Sequence, residues 1–251
     1  MKKTISIIVV LTIVLLFSNL AFAQPEASLF GKTIKIEDAE KPQDFVSSLQ
    51  ILFLLTILTL APSILIMMTS FTRIIIVLSF IRNALGLQQT PPNQVLIGIA
   101  LFLTFFIMAP IGNQINNEAI QPYLKNEINQ EIAIDKAMEP VREFMFKQTR
   151  NKDLSLFMNV AKIDEANNLK DIPSRVIIPA FIISELKTAF QIGFVIYIPF
   201  LVIDMVVSST LMSMGMMMLP PVIISLPFKI LLFILVDGWN LISKSLILGF
   251  K

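Results

Sequence analysis

The sequence predicts an all-α, membrane-associated protein, and three observations carry that prediction. The 251-residue chain has a mean hydropathy of +0.77 and only 15% charged residues, too apolar for a water-soluble domain of this size. Its apolar runs reach the length needed to cross a hydrocarbon core of about 30 Å at about 1.5 Å per residue. Between them, apolar residues such as Phe144, Phe146, Leu154, Phe157 and Val160 recur at helical rather than alternating intervals. Composition also removes whole classes of function. A net charge of +2 without a Lys/Arg run gives no footprint for nucleic acid. With Cys 0 and His 0 there are no disulfides, thiol nucleophiles, imidazole bases or usual zinc sites, and no cofactor is implied.

Taken in chain order, residues 1–23 read as a cleaved signal peptide. Lys2 and Lys3 form a basic start, Ile5 to Phe17 an apolar core, and Ala21, Phe22 and Ala23 a small-residue site that places cleavage between Ala23 and Gln24. Residues 24–44 are a polar linker. A first hydrophobic helical hairpin, 45–112, comprises a span from Phe45 to Met68, with a kink expected at Pro62, and a second from Val95 to Ile111. The short run Ile74 to Phe80 lies between Arg73 and Arg82 and precedes Gly86, Pro91 and Pro92. It reads as a helical extension and turn on the cytoplasmic side, as the positive-inside rule asks of its arginines.

Residues 113–178 balance acids against bases and carry Pro122 and Pro140, the character of a small helical domain outside the membrane, on the periplasmic face. A second hydrophobic hairpin, 179–251, supplies spans over Ser184 to Val207 and Val222 to Ile247, the latter expected to be interrupted at Pro227 and Lys229. Its link carries five methionines between Met212 and Met218 and no positive charge. Irregular backbone at membrane depth needs shelter from lipid, so this link is expected to be buried in protein or to line a cavity. Unbranched, polarizable thioethers there could form a deformable seal, or could simply fill gaps where helices meet.

Glu185, Asp204 and Lys229 are ionisable residues within or beside apolar spans, where a charge costs at least a few kcal/mol unless paired or hydrated. Asp204 and Lys229 each lie about a dozen residues from the Pro220 turn, which puts them at similar depth in an antiparallel hairpin. Their pairing would lock the hairpin or a subunit contact; the alternative is a proton relay in an ion-coupled transporter. Ser225 and Lys229 share a helix face at i, i+4, leaving an intramembrane hydrolase dyad as a third reading without any oxyanion-hole signature. No phosphate-binding loop or metalloprotease, esterase or dinucleotide motif occurs, and the expectation is no enzymatic step.

Three blocks carry a family resemblance: SFTRIIIVLSFIRNALGLQQTPPNQVLIGIALFLTFFIMAP (Ser70 to Pro110), PAFIISELKTAFQIGF (Pro179 to Phe194) and PFLVIDMVVSSTLMSMGMMMLPP (Pro199 to Pro221). These resemble the FliP family of type III secretion export-gate subunits, flagellar and injectisome alike. The resemblance implies a channel subunit of the bacterial inner membrane and flagellar basal body that passes unfolded rod, hook and filament proteins. It implies about five copies in a helical oligomer with FliQ and FliR, beside FlhA and FlhB, whose hydrophobic hairpins are lifted largely above the membrane plane. It further implies that Met216, Met217 and Met218 form a pore gasket. Glu185 resembles a subunit-contact residue, with Phe144 and Phe157 as apolar partners in assembly; helical spacing equally permits both phenylalanines to belong to the domain's own core.

Overall fold

The computed structural model describes residues 28–29, 32–33, 42–163, 171–216 and 218–250, with side chains described from residue 49. The signal segment with Ala23 and Gln24, nearly all of the polar linker, and Met217 lie outside the described residues. Within the linker, β1 (Ser28–Leu29) pairs antiparallel with β2 (Lys32–Thr33). Apart from these, the described structure is helical.

The chain divides into two units, residues 1–57 and 58–251. The boundary falls within α1 (Pro42–Met67), a 26-residue helix that runs through Pro62. None of its apolar residues from Leu49 to Met67 is buried, which is a lipid-like or partner-like surface rather than a core face.

The second unit is built around α2 (Phe71–Ala84). Ile74, Val77, Leu78 and Ile81 fall at i, i+3, i+4 and i+7 and are completely buried, so one stripe of this helix is the centre of the core. The run expected to extend the first span is instead a separate helix, set off by the turn at 68–70 and wrapped by the others. It packs most extensively on α7 (Ser174–Ser213), and also on α3 (Asn93–Ile115). Gly193 of α7 permits the closest approach, because a Cβ there would lie 2.6 Å from Cγ of Phe80 on α2.

At its C-terminal end α3 passes through a π-helical turn (Asn116–Ile120) into α4 (Gln121–Leu124). Next come α5 (Gln130–Gln148), whose first turn is capped by Asn129 Oδ1 accepting the Ile132 N–H at 2.9 Å, and α6 (Asn151–Val160). Both lie against α7.

At 40 residues, α7 is about 60 Å long, roughly twice a hydrocarbon core. It runs without interruption through Pro179 and Pro199, so the segment that packs on α5 and α6 and the apolar segment beyond it are one helix. The closing pair is α8 (Pro221–Leu235) and α9 (Gly238–Leu248), a helix bent by 61° at its break. The expected interruption at Pro227 and Lys229 is displaced: α8 continues through both, and the break comes at Asp237, in the left-handed region at φ 48°. A Pro one turn and a half into a helix gives up one backbone bond, whereas a left-handed residue redirects the chain. Among the described residues, three helices, or four spans if the bent pair counts as one, are long and apolar enough to cross a membrane.

Replacing Gly193 with Ala is expected to cost about 1–3 kcal/mol, because the new methyl meets the stiff root of the Phe80 ring rather than a movable tip. Thermal unfolding of the detergent-extracted protein measures it, with Gly98→Ala, where nothing lies within 4 Å, as the neutral reference.

Candidate functional site

Three clusters along α7 gather most of the residues that the sequence singles out. At its C-terminal end the helix is closed by paired reverse bonds: the Gly215 N–H donates to Met212 O and the Met216 N–H to Leu211 O, both at 3.0 Å. That is a Schellman closure, which needs a left-handed residue after the cap, and Gly215 supplies it at φ 76°. A second turn follows, with Leu219 N–H donating to Met216 O at 3.4 Å, before Pro220 and Pro221 start α8. Met212, Met214, Met216 and Met218 project from these two turns, between 37% and 99% exposed. The expected shelter is therefore not provided by the described residues of this chain.

Farther back, Asp204 of α7 faces α8. Lys229 Nζ donates to Asp204 Oδ2 at 2.6 Å, and the Ser225 hydroxyl donates to Oδ1 at 2.6 Å with Val222 O at 3.1 Å. The Lys229 side chain is 3% exposed and Asp204 27%, so the ammonium is the more deeply covered partner. Each carboxylate oxygen has a donor, and both donors come from one face of α8. Chemically this is a clasp between two helices. The Ser225 hydroxyl is directed at Asp204 rather than at Lys229, and the Lys229 nitrogen is engaged by the same carboxylate, so the two are not arranged as a nucleophile and its base.

The third cluster surrounds Glu185, which is completely buried. The Arg73 guanidinium engages it in a fork, Nε donating to Oε2 at 2.9 Å and Nη2 to Oε1. Arg73 also donates to Gln148 Oε1 at the end of α5 and to the Gly249 carbonyl, and lies 3.8 Å over the Phe250 ring. One residue earlier, the Ser184 hydroxyl donates to Asp153 Oδ2 at 2.7 Å and accepts the Arg150 N–H at 3.1 Å. This corrects two expectations. Glu185 spends its carboxylate within its own chain and has no surface left for another subunit, and Arg73 is buried among three other segments rather than presented at a surface.

Phe144 is buried beside the same cluster, edge-on to Phe181 and stacked on Phe250 at 6.0 Å, whereas Phe157 on α6 is half-buried. Sequence reasoning missed Arg73, Gln148, Ser184, Arg150 and Phe250. The arginine bordering the run Ile74 to Phe80 was the available signal for the first; nothing local marks the others, which meet across more than thirty positions of chain.

Comparison with known proteins follows the same segments. A model of the FliP family matches residues 54–246. The chain is 64% identical to a Bacillus subtilis (strain 168) "Flagellar biosynthetic protein FliP" over 217 residues, covering 86% of this chain and 98% of that one. It is 58% identical to the protein of the same description from Pectobacterium carotovorum subsp. carotovorum, covering 83% and 81%. For the Aquifex aeolicus (strain VF5) relative the identity is 50%, with 89% and 94% covered.

Removing only the acid of the clasp leaves a buried ammonium unpaired. Asp204→Asn is therefore expected to destabilise by about 3 kcal/mol, the low end for a buried pair because Asp204 keeps some exposure. The double variant Asp204→Leu with Lys229→Met is expected to regain most of that stability in a thermal melt. A double variant as unstable as the single one would mean that the pair is more than a clasp.

Proposed function

Because the chain belongs to the FliP family, we propose that it is a channel-forming subunit of the flagellar type III export gate, passing unfolded rod, hook and filament proteins across the bacterial inner membrane. The observation that carries this reading is the exposed methionine turn closing a long apolar helix. Copies arranged about an axis would bring several such turns together as a ring of thioethers, soft enough to close against ions and to yield to a polypeptide. Met216 and Met218, with Met217 between them, form the gasket in this reading.

The same reading places about five copies in a helical oligomer, with FliQ and FliR completing the channel and FlhA and FlhB beside it in the basal body. Helices α5 and α6 form the periplasmic domain, and Phe157, half-buried in the single chain, is its assembly contact. The extensive exposed apolar surface of α1, α3 and α8 supports an assembly in which lipid or neighbouring helices cover it. Energy for export comes from other components. The rival reading, an ion-coupled transporter using Asp204 and Lys229, draws no support from the clasp, whose two carboxylate oxygens both accept short bonds within the chain.

Changing Met216, Met217 and Met218 together to Ala is expected to raise small-ion conductance of membranes carrying the assembled gate while leaving its native mass unchanged. An unaltered conductance with intact assembly would remove the gasket. Co-expression with FliQ and FliR should raise the native mass of the detergent-extracted multimer; a monomer or dimer indifferent to both would remove the channel reading.

A further inference from the structure

We propose that the groove between α7 and α9 binds one acyl chain of an anionic phospholipid, with the headgroup at Gln191 and Ser245. The groove encloses about 420 Å³ over a floor that includes the buried Val77 of α2, a volume within the range of small-ligand sites. One turn of an α-helix, about 5.4 Å long and 10 Å across, would already fill it, so a hydrocarbon chain fits where a partner helix does not.

Polarity runs in one direction along the groove. Helix α9 lies antiparallel to α7: Gly249 O accepts from Arg73 beside Glu185, while at the other end Phe233 packs against both Phe200 and Trp239. Helical rise then sets Ser245 about level with Gln191, and Leu241 about level with Ile196. One end is therefore polar, and the other, at Val195, Ile196 and Leu241, is wholly apolar. The polar end is also the cationic end. Arg150 Nη2 donates to Thr188 Oγ1 at 3.0 Å and to Gln191 Oε1 at 3.5 Å, which brings a guanidinium to it. Lys187, about one turn before Gln191, and Lys244, next to Ser245, are exposed. The acids of this region, Asp153 and Glu185, already accept from Ser184 and Arg73.

The level suits a headgroup. From Ile192 to Leu211 the one charged residue is Asp204, held by Lys229, and these roughly 20 residues rise about 30 Å, the depth of a hydrocarbon core. The groove thus opens at the boundary and runs inward. A larger cavity of about 510 Å³ between α7 and α8 lacks this gradient. Its one polar lining residue, Thr210, donates its hydroxyl to Val206 O, and no charged side chain lines it among the described residues.

A single chain carries the groove, so this inference stands apart from the export reading. Its test is native mass spectrometry of the full chain, extracted in detergent and supplied with phosphatidylglycerol or phosphatidylcholine. About one phosphatidylglycerol per chain should survive detergent exchange. Val195→Trp, which fills the apolar end, should weaken retention about tenfold, and Val206→Trp in the other cavity should leave it unchanged. Lys187→Gln should cut the preference for phosphatidylglycerol by about fivefold, the worth of one lysine near a lipid surface. In the unaltered protein, phosphatidylglycerol with a diazirine at the chain end should label Val195, Ile196 or Leu241. Equal retention by both tryptophan variants, release by excess inorganic phosphate, or labelling confined to α1 and α3 would overturn the site. An unlabelled groove in a dimer or larger multimer would give it to a second copy instead. If Val195→Trp fails to fold, the labelling decides alone.

Discussion

Everything on the second unit is arranged around a guanidinium that has been taken out of water. Desolvating Arg73 would be prohibitive without compensation, since a bare ion in a low-dielectric interior loses several kcal/mol even after relaxation. The structure compensates with a forked carboxylate, a side-chain amide, a backbone carbonyl and an aromatic face. Those partners come from α7, α5 and the C-terminal residues, while Arg73 itself belongs to α2. Four segments distant in sequence are thus fixed to one point, and none can leave without stranding a buried charge. Ser184, the neighbour of Glu185, extends the point to α6 through Arg150 and Asp153.

From this point the remaining packing follows along α7. Ala189 and Gly193 lie one and two turns beyond Glu185, and their small size lets α2 approach closely enough to bury Ile74, Val77, Leu78 and Ile81. Past Phe200 the helix leaves that core and is steadied by the Asp204 clasp to α8 instead. It ends in a turn whose described methionines are between 37% and 99% exposed. One continuous helix therefore passes from a fully anchored segment to a largely exposed one, and an apolar element that long and exposed needs lipid or other protein to cover it.

The helices were legible because length and apolarity suffice to find them, and the depth of Asp204 and Lys229 was legible because helical rise fixes it. What escaped was the hierarchy among helices. The run Ile74 to Phe80 is the shortest apolar segment, so a scale tuned to membrane spans ranks it last, yet its i, i+3, i+4, i+7 stripe makes it the core. Arg73 and Glu185 escaped for a related reason: each reads alone as a surface or boundary charge, and only their approach across 112 positions makes them one buried pair. The break at Asp237 was passed over because proline is the louder signal, although Asp237–Gly238 is a dipeptide that marks turns and aspartate tolerates the left-handed region.

Methionine at the exposed turn makes sense only if the softness belongs to side chains and not to the backbone. The Schellman closure holds the chain from Leu211 to Met216 with two reverse bonds, and Pro220 and Pro221 restrict the exit. A loop built that way does not need to melt in order to change its surface. Each methionine has three rotatable side-chain bonds and a polarizable sulfur, so the surface can reshape through rotamers alone, on a timescale far shorter than any helix refolding. Leucine would give the same hydrophobicity with a stiffer outline, and glycine would give mobility without a seal. Rigid backbone under adaptable thioethers separates the two demands, and it leaves the Asp204 clasp and the Arg73 anchorage undisturbed while the tip moves.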